Sequence, residues 1–203
     1  MPLGYESGHC GRFAEGGEMQ RDLAERARQG DHDAFTALVD GSIGRLYAVA
    51  CLILRDRDRA HDAVQEALVA AWRDIRGLRD PDRIDAWFRR LVVRACYRQA
   101  RSERRRTIVE LRVVPDDLPT SPSPELTVVD RDRLERGFAR LGAEQRAVLV
   151  LYHYLGLPLT EVAETLDIPS GTAKSRVSRA VAAMRAAIDA DDRTDLVEKG
   201  RTA

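Results

Sequence analysis

Residues 159–184, LTEVAETLDIPSGTAKSRVSRAVAAM, have the pattern of two short helices joined by a tight turn. Apolar residues in the second half recur at spacings of four, three and four, so they share one helical face: Ala173, Val177, Ala180 and Met184. Polar residues fall on the opposite face: Lys174, Ser175, Ser178 and Arg179. No acid occurs in residues 170–188. A cationic, acid-free face opposite an apolar stripe suits a helix that lies in the major groove of DNA, so nucleic-acid binding is the leading hypothesis.

The first helix of this pair has Val162 and Leu166 on its apolar face, and residues 167–170 (DIPS) are predicted to form the turn. Ile168 would fill the gap between the helices, and Ser170 would cap the second helix. A plain helical hairpin within a bundle has the same apolar pattern. The basic face without acids is what favours DNA binding over that alternative.

Charge is unevenly distributed along this chain of 203 residues, whose 33 basic and 33 acidic residues cancel. Residues 89–106 carry eight arginines and one acid, and residues 170–188 carry four cations and no acid. Residues 107–130 carry one arginine and five acids. The neutral total therefore conceals two basic segments separated by an acidic connector.

Three features of the sequence bear on the class of protein. Almost all basic residues are arginine, which suits bidentate contacts to guanine and phosphate, although codon usage in a GC-rich genome explains the bias better. Cys10, Cys51 and Cys96 are too far apart for a CxxC motif, and the last two lie in helical patterns typical of a core. No run of 18 apolar residues and no apolar signal core is found. We therefore expect a soluble, cytoplasmic protein without membrane insertion, cofactor or metal.

Helical periodicity predicts an all-α fold of two small helical domains joined by a flexible linker, the C-terminal domain being a helix-turn-helix. Prolines at 115, 119, 122 and 124 exclude a helix in the linker. The predicted segments are a flexible tail (1–18), the first domain (19–106), a Pro-rich acidic linker (107–128), the second domain (129–188) and a polar, frayed tail (189–203).

Eight helices are predicted, at about 19–28, 32–54, 59–75, 84–104, 131–140, 143–154, 160–166 and 170–188. Asp31 is a suitable N-cap for the second helix. The third helix has the most regular apolar stripe in the chain, which we expect to be core: Ala60, Ala63, Val64, Ala67, Leu68, Ala71, Trp72 and Ile75.

Two further clusters allow two interpretations each. Asp62, Gln65 and Glu66 lie on the polar side of the third helix, where they could bind a basic partner helix or simply be solvated. Arg94, Arg98 and Arg101 share one side of the fourth helix. That side suits binding to a phosphate backbone. Arginines at a helix C-terminus are, however, also stabilised by the negative end of the helix dipole.

Three segments in this order resemble bacterial sigma factors of the extracytoplasmic-function group. They are RDRAHDAVQEALVAAW (57–72), IDAWFRRLVVRAC (84–96) with the arginine cluster after it, and LTEVAETLDIPSGTAKSRVSRA (159–180) beyond a linker. The resemblance covers roughly residues 23–188. It implies that the first domain is sigma region two and the second is sigma region four.

The resemblance also implies roles for individual residues. Those matching the docking site for the β′ clamp helices of core RNA polymerase are Asp62, Gln65 and Glu66. Those matching the surface for the minus-ten element are Arg79, Asp80, Arg83, Arg90, Arg94, Arg98 and Arg101. Those matching the surface for the minus-thirty-five element are Thr172, Lys174, Ser175, Arg176, Ser178 and Arg179. Departures from the family pattern are Arg94 in place of asparagine, Arg98 in place of an acid and His61 in place of glutamate.

The function implied is that of a subunit that directs core RNA polymerase to promoters and promotes transcription initiation. Its expected partners are core RNA polymerase, through the β′ clamp helices and the β subunit, and promoter DNA. An anti-sigma factor is common in the family, but no motif here identifies one. Alternatives are a stand-alone helix-turn-helix repressor that dimerises on a palindrome, and a helical adaptor that binds only protein. An enzyme fits least, because the four histidines are dispersed: His9, His32, His61 and His153.

Overall fold

The computed structural model describes residues 11–107 and 128–201, with side chains described for residues 17–102 and 133–190. These ranges contain helices and no strand: α1 (Gly11–Arg28), α2 (His32–Leu54), α3 (Arg57–Asp74), α4 (Ile84–Thr107), α5 (Val128–Ala139), α6 (Ala143–Leu149), α7 (Leu159–Leu166) and α8 (Ser170–Arg201). Short 3₁₀ turns occupy Ile75–Gly77 and Pro81–Arg83, and a π-helical turn, Val150–Tyr154, continues α6. The all-α prediction is confirmed. The predicted linker lies almost entirely outside the described residues.

Side-chain caps fix where α2 and α3 begin. Asp31 accepts a hydrogen bond from the Ala34 amide at 3.0 Å, as the sequence predicts for the start of α2. Asp56 accepts one from the Arg59 amide at 2.9 Å at the start of α3. Each carboxylate satisfies an amide that has no partner within its own helix.

Helices α1 to α4 form the N-terminal domain around an apolar core. Phe88, Ile53 and Ile84 are among its largest fully buried side chains. Cys51 and Cys96 are buried free thiols in this core, as predicted, and burial raises the pKa of Cys96 to about 12. Within the ranges whose side chains are described, no three His, Cys, Asp or Glu residues lie together as a metal cluster would need.

Helix α2 is long and apolar enough, by length and composition alone, to cross a membrane. It is the only helix of this kind in the described part of the chain, and 44% of its most apolar window is buried inside the protein. Its apolar residues pack against the other helices of the domain core. These features are those of a central core helix.

The C-terminal domain is built on α8, against which α5, α6 and α7 pack. Leu151, Val148 and Val162 are fully buried there. Gly137 of α5 lies so close to α8 that an added Cβ would be 2.6 Å from Cγ1 of Ile188. Absence of a side chain at residue 137 therefore lets α5 approach α8.

Both terminal helices are longer than the sequence indicates. α1 begins at Gly11, whereas residues 1–18 were expected to be a tail, and α8 continues to Arg201 through the predicted tail at 189–203. Both extensions lack a regular apolar stripe, and the sequence therefore predicts shorter helices. Neither extension contains a proline, so the backbone hydrogen bonds of the helix can continue there even though no apolar stripe is present.

The two domains contact each other through α2 and α4 on one side and α6 and α7 on the other. Nε of Arg146 donates to the Ile53 carbonyl at 2.6 Å, and the same guanidinium donates to the Leu141 carbonyl. Arg55 donates to the Glu135 carbonyl at 3.3 Å. An arginine of each domain thus donates a hydrogen bond to a backbone carbonyl of the other domain.

Candidate nucleic-acid interface

A tight turn sets the angle between α7 and α8. Asp167, at the end of α7, has left-handed backbone angles (φ 57°, ψ 51°), a conformation that aspartate tolerates better than most residues. The Ile168 amide then donates to the Ala163 carbonyl at 3.0 Å. The Pro169 carbonyl accepts the first backbone hydrogen bonds of α8, so Ser170 lies inside the helix. The predicted Ser170 cap is therefore wrong.

Helix α8 has the two faces that the sequence predicts. Ala173 and Ala180 are 0% exposed and Val177 is 9% exposed. Lys174, Ser175, Ser178 and Arg179 are exposed, while Thr172 and Arg176 are half-buried. The buried stripe anchors α8 on its own domain, and its cationic side remains open to solvent.

Hydrogen bonds along α8 distinguish the two basic residues on its open face. Arg179 donates through Nε to the Ser175 carbonyl at 3.2 Å, which holds its guanidinium along the helix. The Ser175 hydroxyl donates to the Thr172 carbonyl at 2.9 Å. Lys174 makes no ion pair with any of the described side chains, so its ammonium projects freely.

Arg176 is less open than its neighbours on α8. Burial and, second in importance, the Glu144 carboxylate raise the pKa of Tyr97 in α4. The positive charge of Arg176 opposes that rise. The Tyr97 hydroxyl is buried and has no hydrogen-bond partner among the described residues. Arg176 therefore faces the boundary between the domains in this conformation.

The polar face of α3 carries the predicted docking residues. Asp62, Gln65 and Glu66 are exposed, on the side opposite the buried Ala63 and Ala67. Glu66 is paired with Arg98 of α4, whose Nε lies 2.9 Å from its carboxylate. The structure therefore brings together a predicted docking acid and a predicted minus-ten arginine, and Asp62 is the more available carboxylate.

An apolar groove of about 900 Å³ runs between α2 and α3 and includes Gln65 in its lining. Its exposed apolar side chains are Ile43 (41%), Val69 (46%) and Trp72 (38%). Trp72 was predicted to be core, which is wrong: it lies at the edge of the stripe, its ring centroid 5.1 Å from His32 and 5.0 Å from Phe35. The sequence signal that could have revealed the groove is Ile43 in α2 and Val69 in α3, two apolar residues on the exposed sides of their helices. An exposed apolar patch beside polar residues is typical of a protein-binding surface.

The residues predicted for the minus-ten element lie before and along α4. Arg79 and Asp80 are exposed, and the Asp80 carboxylate accepts from the Asp82 amide at 3.1 Å to cap the 3₁₀ turn. Arg94, Arg98 and Arg101 are exposed as well. Arg90 is only half-buried, but its Nε is inaccessible and has no partner among the described residues.

Three ion pairs link α4 and the turn before it to α7. Arg83 pairs with Glu164, Arg89 with Glu161 at 3.2 Å, and Arg94 with Asp167 at 3.1 Å. Burial lowers the pKa of Arg89, whose side chain is 15% exposed, and the Glu161 carboxylate opposes that effect. The hydrogen bond to Glu164 raises the pKa of Arg83. Sequence patterns gave no sign of these pairs, and Arg89 belongs to the basic segment 89–106 but not to the predicted site residues.

Two family patterns match this chain. The one described as Sigma-70 region 2 matches residues 38–106, and the one described as Sigma-70, region 4 matches residues 131–184. The ECF RNA polymerase sigma factor SigM of Mycobacterium tuberculosis strain H37Rv is 30% identical over 182 residues, covering 88% of this chain and 89% of SigM. The ECF RNA polymerase sigma factor SigW of Bacillus subtilis strain 168 is 26% identical over 178 residues, covering 82% of this chain and 95% of SigW.

Two solved structures share the architecture. CnrH, solved in complex with the cytosolic domain of CnrY, superposes with a TM-score of 0.58 at 26% identity, covering 85% of this chain and 99% of CnrH. The sigma factor RpoE of Bartonella quintana, solved with the anti-sigma factor NepR, gives a TM-score of 0.60 at 24% identity, covering 77% of this chain and 98% of RpoE. The RpoE likeness supports the fold.

A helical domain with an exposed acidic face, followed by a helix-turn-helix domain with an exposed basic helix, is typical of a DNA-binding protein. The matches to sigma-70 region 2 in the first domain and to region 4 in the second identify the family within that class. This chain belongs to the ECF RNA polymerase sigma factors of the sigma-70 family. It directs core RNA polymerase to promoters for transcription initiation, as predicted, and the stand-alone repressor is not favoured.

Proposed function

We propose that α8 recognises the minus-thirty-five element through Thr172, Lys174, Ser175, Ser178 and Arg179. The observation that supports this proposal is that α8 has one buried apolar face and one exposed basic face. The stripe of Ala173, Val177 and Ala180 is buried, and the opposite face is exposed and free of acids up to Ile188. In a helix-turn-helix the second helix enters the major groove, where lysine and arginine donate to guanine or phosphate.

The N-terminal domain would supply the other two contacts. Asp62, Gln65 and Glu66 dock on the clamp helices of the β′ subunit, with the apolar groove between α2 and α3 extending that surface. The segment from Arg79 through α4 binds the melted minus-ten strand through its arginines. Holding two DNA-binding surfaces at a fixed separation raises the effective concentration at the second element, so the isolated subunit should bind promoters weakly.

The remaining features of the proposal follow from this assignment. The protein acts in the cytoplasm and has no catalytic role of its own, since the surfaces described here position DNA and protein. CnrH was solved with the cytosolic domain of CnrY, and RpoE with an anti-sigma factor. We include a protein inhibitor of that kind among the partners of this chain, binding where it blocks α3 or α4.

Run-off transcription tests the proposal as a whole. Purified core polymerase is incubated with a library of genomic fragments, with and without the protein. The proposal expects new start sites preceded by two shared motifs at constant spacing. Absence of new initiation in the complete reaction contradicts it. A palindromic footprint made by the protein alone would support the repressor, and lack of any salt-dependent DNA affinity, even with polymerase, would support the adaptor.

A further inference from the structure

We propose that Ser42 of α2 and Asp85 of α4 are positioning residues for recognition of the minus-ten element. The Ser42 hydroxyl donates to Oδ1 of Asp85 at 3.1 Å, and Nη2 of Arg45 lies 3.5 Å from Oδ2. These three side chains form a carboxylate bridge between α2 and α4, and the bridge holds the turn at residues 79–83 in place. The proposal rests on the proposed function, because arginines of that turn are assigned there to the minus-ten element.

The burial of Ser42 is the first argument. Ser42 is 3% exposed, and among the side chains that the structure describes only Ser42 and Thr165 are polar and buried. A buried hydroxyl costs free energy unless it is hydrogen-bonded, and serine is less favourable than alanine inside a helix. The hydrogen bond to the Asp85 carboxylate offsets these costs. Ser42 therefore has a specific partner in α4 rather than a packing role alone.

The placement of Asp85 is the second argument. Asp85 lies in the first turn of α4, and 40% of its side chain is exposed. A carboxylate beside a surface that binds DNA repels the phosphates, so an acid is unfavourable here unless it has another role. The positive end of the helix dipole and the two partners in α2 stabilise this carboxylate. Both of its oxygens are thus engaged within the protein, and Asp85 fixes the start of α4 on α2.

The weakness of the other contacts of the turn is the third argument. Its two ends are anchored by Leu78 and Ile84, which are 6% and 1% exposed. Asp82 pairs with Arg21 of α1 at 3.4 Å, but both side chains are more than half exposed, and ion pairs of that kind contribute little. The carboxylate bridge is therefore the firmest polar contact that holds the turn and the start of α4 within the N-terminal domain.

A turn that is already in place lowers the cost of DNA binding. Recognition of a base requires the contacting side chains to be held within about 0.5 Å of their productive positions by supporting contacts. A loose turn would have to be ordered in each binding event, which reduces affinity. Phosphate contacts from arginines farther along α4 do not need the turn. The bridge should therefore increase selectivity for the minus-ten bases more than affinity for DNA in general.

The test measures this selectivity with holoenzyme assembled from core polymerase and the full chain. One oligonucleotide is the non-template strand of the minus-ten element from a promoter found by run-off transcription, and the other has the same bases in scrambled order. Fluorescence anisotropy gives the ratio of the two affinities, which an inactive fraction of the protein does not change. The variants are Ser42→Ala, Asp85→Ala and Asp85→Asn. The control is Thr165→Val, which removes the other buried hydroxyl, in the C-terminal domain.

Ser42→Ala and Asp85→Ala should each lower the ratio about tenfold, if the released turn is in its binding arrangement about a tenth of the time. Asp85→Asn should retain most of the ratio, because the amide oxygen can still accept from Ser42. The two Asp85 variants carry the same net charge, so equal losses would show an effect of charge alone and overturn the proposal. A normal ratio for Ser42→Ala beside a loss for Asp85→Ala would also overturn it, since the carboxylate would then contact DNA itself.

Amide hydrogen exchange of the full chain without DNA tests the bridge separately. The Asp82 amide donates to the Asp80 carboxylate and the Arg83 amide donates to the Asp80 carbonyl, each at 3.1 Å. Both amides should exchange about tenfold faster in Ser42→Ala than in the wild type or the Thr165→Val control. Unchanged exchange would overturn the proposal whatever the DNA result. Faster exchange, with no preference of the wild-type holoenzyme for the minus-ten strand, would support the bridge and refute the minus-ten assignment of the proposed function.

Discussion

Lys174 and Arg179 lie on the same open face of α8 but are held differently. Arg179 donates to the Ser175 carbonyl, whereas Lys174 has no ion-pair partner among the described side chains. Lys174→Ala should weaken promoter binding by the assembled holoenzyme by about 1–3 kcal/mol if the lysine contacts a base edge. Fluorescence anisotropy on a promoter identified by run-off transcription measures the effect.

The control for that prediction is Arg185→Ala, which removes one exposed cation farther along the same helix. A smaller loss for Arg185→Ala supports a specific role for Lys174. A uniform loss on all DNA sequences, with a reduced salt slope, would show that Lys174 contacts only phosphate. Unchanged affinity would remove Lys174 from the interface.

Asp62 and Glu66 also differ, because Glu66 already pairs with Arg98 at 2.9 Å. Asp62→Lys should weaken binding to core polymerase at least tenfold, about 1.4 kcal/mol, since a cation would replace a carboxylate opposite a basic partner helix. Asp74→Lys is the control, an exposed acid at the opposite end of α3 from its N-cap. Co-elution and titration with labelled core polymerase measure both variants, and equal retention of the two would contradict the docking assignment.

At the scale of the helix, two glycines should respond to alanine in opposite directions. Gly137→Ala places a Cβ 2.6 Å from Cγ1 of Ile188 and should lower the free energy of unfolding by about 1–3 kcal/mol. Gly41→Ala, in α2 with no atom within 4 Å of the new Cβ, should raise it by about 0.5–1 kcal/mol. Urea unfolding of the full chain measures both. Stabilisation by Gly137→Ala would show that α5 and α8 are not held as closely as described.

Helix identity and the buried faces could be predicted from local pattern, because spacing of three and four residues directly specifies one side of a helix. Ala173, Val177 and Ala180 are buried for that reason. Trp72 fits the same spacing but lies at the edge of its stripe, where the packing of α2 decides exposure. Helix ends were predicted less well, since α1 and α8 extend beyond their apolar periodicity.

The candidate surfaces were only partly accessible to sequence reasoning. Exposure of Lys174, Asp62 and Arg94 follows from helical phase. The ion-pair partners of the acids cannot be predicted in this way. Glu66 pairs with Arg98, 32 residues away, and Asp167 pairs with Arg94, 73 residues away. No local rule selects one arginine among the 31 in the chain. Such pairs depend on how the helices and domains are arranged.

At the scale of the whole molecule, Arg146 is the side chain to test. Its guanidinium joins the Ile53 carbonyl of the first domain to the Leu141 carbonyl of the second. Arg146→Met should weaken the contact between the two domains by about 1–3 kcal/mol, because it leaves a partly buried carbonyl without its donor. Arg57→Met, at an exposed position of α3, is the control. Spin labels on cysteines introduced at the exposed Ala37 and Ala186, in a Cys10→Ser background, should give a broader distance distribution only for Arg146→Met. An unchanged distribution would show that other contacts hold the domains.

The two tryptophans give this molecule built-in optical probes. Trp72 lies at the rim of the groove on α2 and α3, and Trp87 is half-buried in α4, with its ring centroid 5.7 Å from that of Phe88. Indole emission responds to the polarity around the ring, so the Trp87→Phe variant would signal events at the groove and the Trp72→Phe variant events along α4. Stopped-flow mixing of each variant with core polymerase would then time the two events separately, without an attached dye.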